Sequence, residues 1–350
     1  MKIQNFSYLR VEDILDGADE FRALLFKEGV LAFRGLNLTV QDFADITQAL
    51  SISEKPLEDW SRGKATTEAF LTADRRFGQP MYDLEELDRG DLTKTTPVER
   101  AGIDEYTLSG SFIRRNENFA TRFEQMAKGV GTGGEPPGKG DVLYPGQEKA
   151  SRQTMIFWNM DDAYKQHLLR TNAIHMHTFT APKGAGGLGF VDMSEAFKAL
   201  PSSWVDPLKK AHKKETQVSY MPDGVTQYPH PVIKLHWYAS YPVLHSTGTN
   251  LGNPQLPFEF EEECIEPMEF FKWVFDYVVD PDNQQWWDWE QGDLVIYDAY
   301  RLQTAWGAGF GLDELVFDHI KYHGGNQYAV QTLPPRDQQY IVPEGHSYHG

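Results

Sequence analysis

Short apolar runs bounded by turn residues recur along this chain, and few stretches have the length or period of a helix. The most telling run is Met155-Ile156-Phe157-Trp158, which leads straight into Asn159-Met160-Asp161-Asp162. As a strand it alternates its side chains, so Asn159 and Asp161 share one face at its end. The segment reads as a buried strand that stops at the mouth of a pocket, although acids at strand ends are also common without a function. Further strands are expected over Val30 to Phe33 and at 173–180, 217–221, 231–236, 241–246, 293–298 and 315–322. Helices are expected at 18–28, closed by Gly29, and after Thr39, where Asp42 completes a capping pair and Phe43, Ile46 and Leu50 form an apolar stripe. A third spans 267–279 and stops at Asp280-Pro281, because proline cannot continue it. Many short strands with a few flanking helices predict a mainly β, α+β fold with a jelly-roll (double-stranded β-helix) core.

Charge narrows the partners. The chain carries 33 Lys and Arg against 51 Asp and Glu, a formal net charge of −18. Such a field repels nucleic acid and anionic membrane surfaces, and the charge says nothing more about function. The one cysteine, Cys264, sits after Glu261-Glu262-Glu263 and has no partner for an intramolecular disulfide. No apolar leader and no run of membrane-spanning length is present, so the expected location is cytoplasmic.

The order of motifs resembles the TauD/TfdA-like family of Fe(II)/2-oxoglutarate-dependent dioxygenases. Three stretches carry the resemblance. The first runs from Trp158 through Asp161, then Ala173 to Pro182, the glycine turn Gly184 to Asp192, and Ser194 to Pro201. The second is the opening, Phe21 to Leu50, with Gly29 to Gly35 followed by Leu38-Thr39. The third is Trp287 to Asp298 near the C-terminus. The resemblance implies a single domain over 1–350, with a divergent region at 51–154 and an irregular tail at 323–350. It also implies that 129–147, rich in glycine and proline, is a lid over the pocket. Gly129 to Gly134 is not read as a phosphate loop, because it lacks the Lys-Ser/Thr ending and a following helix.

The resemblance implies Fe(II) held by two histidines and a carboxylate, with an arginine pairing the 2-oxoglutarate carboxylate. At the matching positions this chain has Asn159, Asp161 and Thr304, with Leu315 in place of the arginine and Gly189 in place of the threonine of the glycine turn. Read this way, the fold is kept, the iron machinery is lost, and no cofactor is expected.

Other residues then become candidates. Asp161 and His319 form a candidate acid–base pair, with Thr304 and Tyr300 as hydrogen-bond donors to developing charge. Asn159, Trp158, Arg301, His175 and His177 are candidates for binding substrate. Alternate histidines in His175-x-His177 share a strand face, and with Asp161 they offer an alternative metal set. Each of these also has a plain structural reading, as a satisfied core or rim group. The leading expectation is a biosynthetic, metal-independent pseudo-dioxygenase working by elimination, isomerisation or cyclisation. The alternatives are a non-catalytic ligand-binding protein, a partner subunit paired with an active oxygenase, and an oxygenase with recruited ligands. A homodimer also stays open.

Overall fold

A computed structural model describes residues 1–51, 154–161, 163, 168–215, 230–239, 241–245, 258–260, 264–307 and 315–323, with two short strands at 94–95 and 114–116. The expected lid at 129–147, the strand expected at 217–221 and the tail after residue 323 lie outside these residues.

The strands in chain order begin with β1 (Lys2–Ser7), β2 (Gly29–Arg34), β3 (Lys94–Thr95), β4 (Arg114–Asn116) and β5 (Thr154–Asn159). Next come β6 (Leu169–Phe179), β7 (Leu188–Asp192), β8 (His212–Glu215), β9 (His230–Pro231), β10 (Ile233–Leu235) and β11 (Pro242–Leu244). The set closes with β12 (Phe258–Phe260), β13 (Gln284–Trp287), β14 (Leu294–Asp298), β15 (Leu302–Gly307) and β16 (Leu315–His323). Helices among the described residues are α1 (Val11–Asp16), α2 (Ala18–Glu28), α3 (Val40–Ser51), α4 (Met193–Ala199), α5 (Ser202–Lys210) and α6 (Pro267–Val279).

Two sheets carry the core. The larger has the order β1-β2-β14-β6-β16-β4-β3, and the smaller has the order β13-β7-β15-β5. Strand alternation explains how they pack. On β14, Leu294 and Ile296 join the cluster under the N-terminal helices, whereas Val295 and Tyr297 face the smaller sheet. The space between the sheets is filled by Ile174, Met176 and Tyr297 from one side and Phe190, Leu302 and Trp306 from the other. The outer face of the smaller sheet, with Trp158, Val191 and Ala305, packs on α4, α5 and α6. The result is a jelly-roll core with helices on both outer faces.

Local chemistry accounts for the helix ends. Thr39 N–H donates to the Asp42 carboxylate at 2.9 Å, and Asp42 N–H donates to the Thr39 hydroxyl at 3.1 Å. These bonds close the capping pair that starts α3. Gly29 ends α2 at φ 102°, a conformation that disfavours any side chain. Strand β6 begins earlier than the expected 173, because polar Thr171 and Asn172 are buried and paired across to β14 and β16. The strand expected at 231–236 is interrupted at Val232, whose N–H bonds to Ala211 O at 3.0 Å.

One glycine is needed for close packing. A Cβ on Gly189 would lie 2.7 Å from the Trp158 ring and 2.9 Å from Trp286. Both rings are braced in the surrounding core, so Gly189→Ala is expected to cost roughly 1–3 kcal/mol, the usual range for overpacking. Urea unfolding of the variant measures this. Wild-type stability would show that the indoles yield.

Candidate functional site

Two polar constellations lie on opposite faces of the larger sheet. The inner one faces the space between the sheets. Tyr297 on β14 is the register partner of Asn172 on β6, and His319 on β16 is the partner of Ile174, two residues along. That geometry places the three polar side chains side by side. His319 Nε2 lies 2.5 Å from Asn172 Oδ1, an acceptor, so the imidazole donates. The Asn172 amide donates to Asp161 Oδ2 at 2.8 Å and to the Tyr297 hydroxyl, which itself donates to Asp161 at 2.7 Å. The donors thus run in one direction, from His319 to the Asp161 carboxylate. Thr304 hydrogen-bonds to Tyr297 and pairs with Asn159 across β15 and β5. Burial and then the Asp161 charge push the Tyr297 hydroxyl well above its ordinary pKa, so it stays protonated as a donor.

The outer constellation faces α3. His175 and His177 share a face of β6, and the register places Asp318 of β16 opposite His175. His177 Nε2 lies 2.6 Å from Asp318 Oδ2, and the two imidazole centroids are 4.5 Å apart. His175 Nε2 is 3.2 Å from Leu36 O, and its ring lies 5.9 Å from Phe43. One ligand atom from each of His175, His177 and Asp318 falls within 4.8 Å of the others. Asp318 and His175 are buried, whereas the His177 side chain is 24% exposed. Two imidazoles and a carboxylate from adjacent strands suit a divalent transition metal in kind and number.

The sequence candidates therefore divide. The structure brings Asp161, His319, Thr304 and Asn159 to the inner face. His175 and His177 are on the outer face, so Asp161 cannot complete a metal set with them, and Asp318 stands there instead. Tyr300 packs in the cluster beneath the N-terminal helices and donates to Leu235 O at 3.1 Å. Arg301 is fixed by Asp192, with Nε to Oδ1 at 2.9 Å, and its Nη1 donates to Lys27 O at 3.0 Å and to the Tyr241 hydroxyl. Trp158 is fully buried on the outer side of the smaller sheet. Asn172, Tyr297 and Asp318 were not singled out from the sequence. Asp318 had a signal, since alternation puts it on the face opposite His319, but its match to His175 depends on register.

A jelly-roll core carrying a two-histidine, one-carboxylate set belongs to the non-haem oxygenase class of folds. The family model described as "Taurine catabolism dioxygenase TauD, TfdA family" matches residues 109–303, more than half of the sequence. The chain belongs to that family. A taurine dioxygenase from Burkholderia xenovorans superposes with a TM-score of 0.53 at 11% identity, covering 88% of this chain and 80% of its own. AAD-2 in complex with Mn(II) and N-oxalylglycine superposes at 0.55 and 10% identity, covering 92% and 93%. At these identities the likeness is one of fold. No curated protein matches the chain in sequence.

These findings correct the cofactor expectation. The absence of any cofactor was inferred from Asn159, Thr304, Leu315 and Gly189. The family is one of dioxygenases, the AAD-2 structure carries Mn(II) and N-oxalylglycine, and this chain assembles its own candidate metal set at His175, His177 and Asp318. His175 and His177 were already an alternative metal pair in the sequence, but the carboxylate that stands beside them is Asp318 and not Asp161. No helix among the described residues is long and apolar enough to cross a membrane.

Proposed function

We propose that this chain is a metal-dependent enzyme of the dioxygenase family that acts on a small molecule, with the metal held by His175, His177 and Asp318. The observation that carries this reading is the convergence of those three ligand atoms within 4.8 Å. The set matches the donors of non-haem Fe(II) oxygenases, which leave open positions for oxygen and substrate. A bound ion would supply Lewis-acid and redox chemistry there. The chain's own residues have separate tasks. Leu36 O accepts from His175 Nε2, Phe43 packs on the buried His175 ring, and the exposed edge of His177 gives access.

Anaerobic calorimetry of the full chain with Fe(II) or Mn(II) tests the assignment. Near-stoichiometric binding is expected, weakened by roughly 100-fold or more in His177→Ala and Asp318→Asn, since even outer-shell changes cost 10–100-fold. Binding that survives both substitutions would remove the metal from this site.

A second reading is favoured by the directional hydrogen bonds of the inner face. There Asp161 and His319, bridged by Asn172 and Tyr297, serve as a proton-transfer pair for a small substrate between the sheets. The two readings separate by which substitutions abolish turnover.

A further inference from the structure

The residues after β2 meet the turn before β14 beside His175. Arg34, the last residue of β2, donates from Nη1 to Asp293 Oδ2 at 2.8 Å and from Nη2 to Asp288 O at 3.0 Å. Its guanidinium carbon lies 4.0 Å from the Trp287 ring centroid. The same Asp293 oxygen accepts from Trp287 Nε1 at 3.0 Å and from Glu290 N–H at 2.8 Å. Asp293 is fully buried, so its attraction for Arg34 is little screened.

Two residues beyond Arg34, Leu36 N–H donates to Gly292 O at 2.7 Å. Gly292 has a φ of +82°, and a Cβ there would lie 3.1 Å from Leu36 O, so the carbonyl passes close over the glycine. The turn is also tied to β6. Gly292 N–H donates to Met176 O at 2.7 Å, and Met176 N–H donates to Asp293 O at 2.8 Å. Met176 is the chain neighbour of His175, so Arg34, Gly292 and Asp293 together fix where the Leu36 carbonyl stands against that histidine. The carbonyl lies 3.2 Å from His175 Nε2. A carbonyl oxygen only accepts, so Nε2 carries the proton. In a neutral imidazole Nδ1 then keeps the lone pair and is the atom able to ligate a metal.

We propose that the Arg34–Asp293 pair is a positioning device for His175, holding the Leu36 carbonyl on Nε2–H and so fixing the tautomer that offers Nδ1 to a metal. This role rests on the metal reading of His175, His177 and Asp318, and it adds the ligating atom and the residues that set it. A histidine held in this way needs no proton shift and little reorientation when an ion arrives. Were the pair only a tie between β2 and β14, its loss would lower stability and leave the imidazole as it was.

Proton–nitrogen long-range correlation spectra of the full chain, labelled at histidine, read the tautomer with no metal added. The His175 signal is assigned by its loss in His175→Gln. Wild type is expected to hold His175 as the Nε2–H tautomer. Arg34→Met, with its fold checked by circular dichroism, is expected to show both tautomers and to bind Zn(II) roughly tenfold more weakly or worse, the effect of losing an outer-shell partner. Gly292→Ala displaces the carbonyl without touching the ion pair and should do the same. An Nδ1–H tautomer in wild type overturns the proposal, as does the wild-type tautomer in both variants. Should neither variant fold, the wild-type tautomer decides. If Zn(II) binds but the tautomer is not as expected, the positioning role alone falls. If the tautomer is as expected but Zn(II) does not bind, the metal reading falls and the ligand role of Nδ1 falls with it.

Discussion

His319→Ala and Asp161→Asn are each expected to lower turnover by about 100-fold if the inner face performs the chemistry, a loss of about 2.7 kcal/mol in transition-state stabilisation. The expectation rests on direction. His319 donates to Asn172, Asn172 to Asp161 and Tyr297, and Tyr297 to Asp161. Removing the imidazole takes away the first donor, whereas the Asn at 161 removes the charge that terminates the series. Neither residue is needed to fill the apolar core between the sheets, so circular dichroism should be unchanged. Steady-state turnover on small organic acids measures the effect. Full activity in both variants, with loss in His177→Ala, would assign the chemistry to the outer face.

Asp192→Ala is expected to destabilise the protein by roughly 3–5 kcal/mol, the range for breaking a buried ion pair by removing one partner. Asp192 binds Arg301 through both oxygens and also accepts the Ser194 N–H at 2.9 Å as the N-cap of α4. Its loss would strand the Arg301 guanidinium between the Phe26 and Lys27 carbonyls and uncap the helix. Acid should show the same dependence. Burial raises the Asp192 pKa, but the hydrogen bond and charge of Arg301 outweigh it and hold the carboxyl at about 2. A depressed folded pKa means the stabilisation is complete above the usual carboxylate value near 3.8 and is lost as pH falls toward 2. Urea unfolding at pH 7 and pH 3 measures both effects. A variant within about 1 kcal/mol of wild type at pH 7, or a pH 3 loss equal in wild type and variant, would refute the account.

Arg301 also illustrates the limits of reading a site from sequence. An arginine three residues after the strand ending Ile296-Tyr297-Asp298 suits a substrate carboxylate as well as it suits a core ion pair. Nothing local distinguishes them, because its partner Asp192 is more than a hundred residues away. Tyr300 is similar. Its neighbours in sequence do not reveal that it packs under the N-terminal helices and donates to Leu235 O.

What the sequence by itself determined is local in origin. The helices at Ala18–Glu28 and Pro267–Val279 and the capped start of α3 follow from apolar spacing, Gly29, Pro281 and the Thr39–Asp42 pair. Strand alternation placed His175 with His177, and Asn159 and Asp161 at a strand end. The choice of a β-rich jelly roll follows from the number and length of such segments. Cross-strand register was decided by the tertiary structure. Asp318 falls opposite His175, and His319 reaches Asn172, because β6 and β16 pair in that register. A slip of one residue would send each side chain to the other face. The side of the sheet on which two histidines meet a carboxylate is therefore set by contacts far apart in the chain, which periodicity along a single strand does not encode.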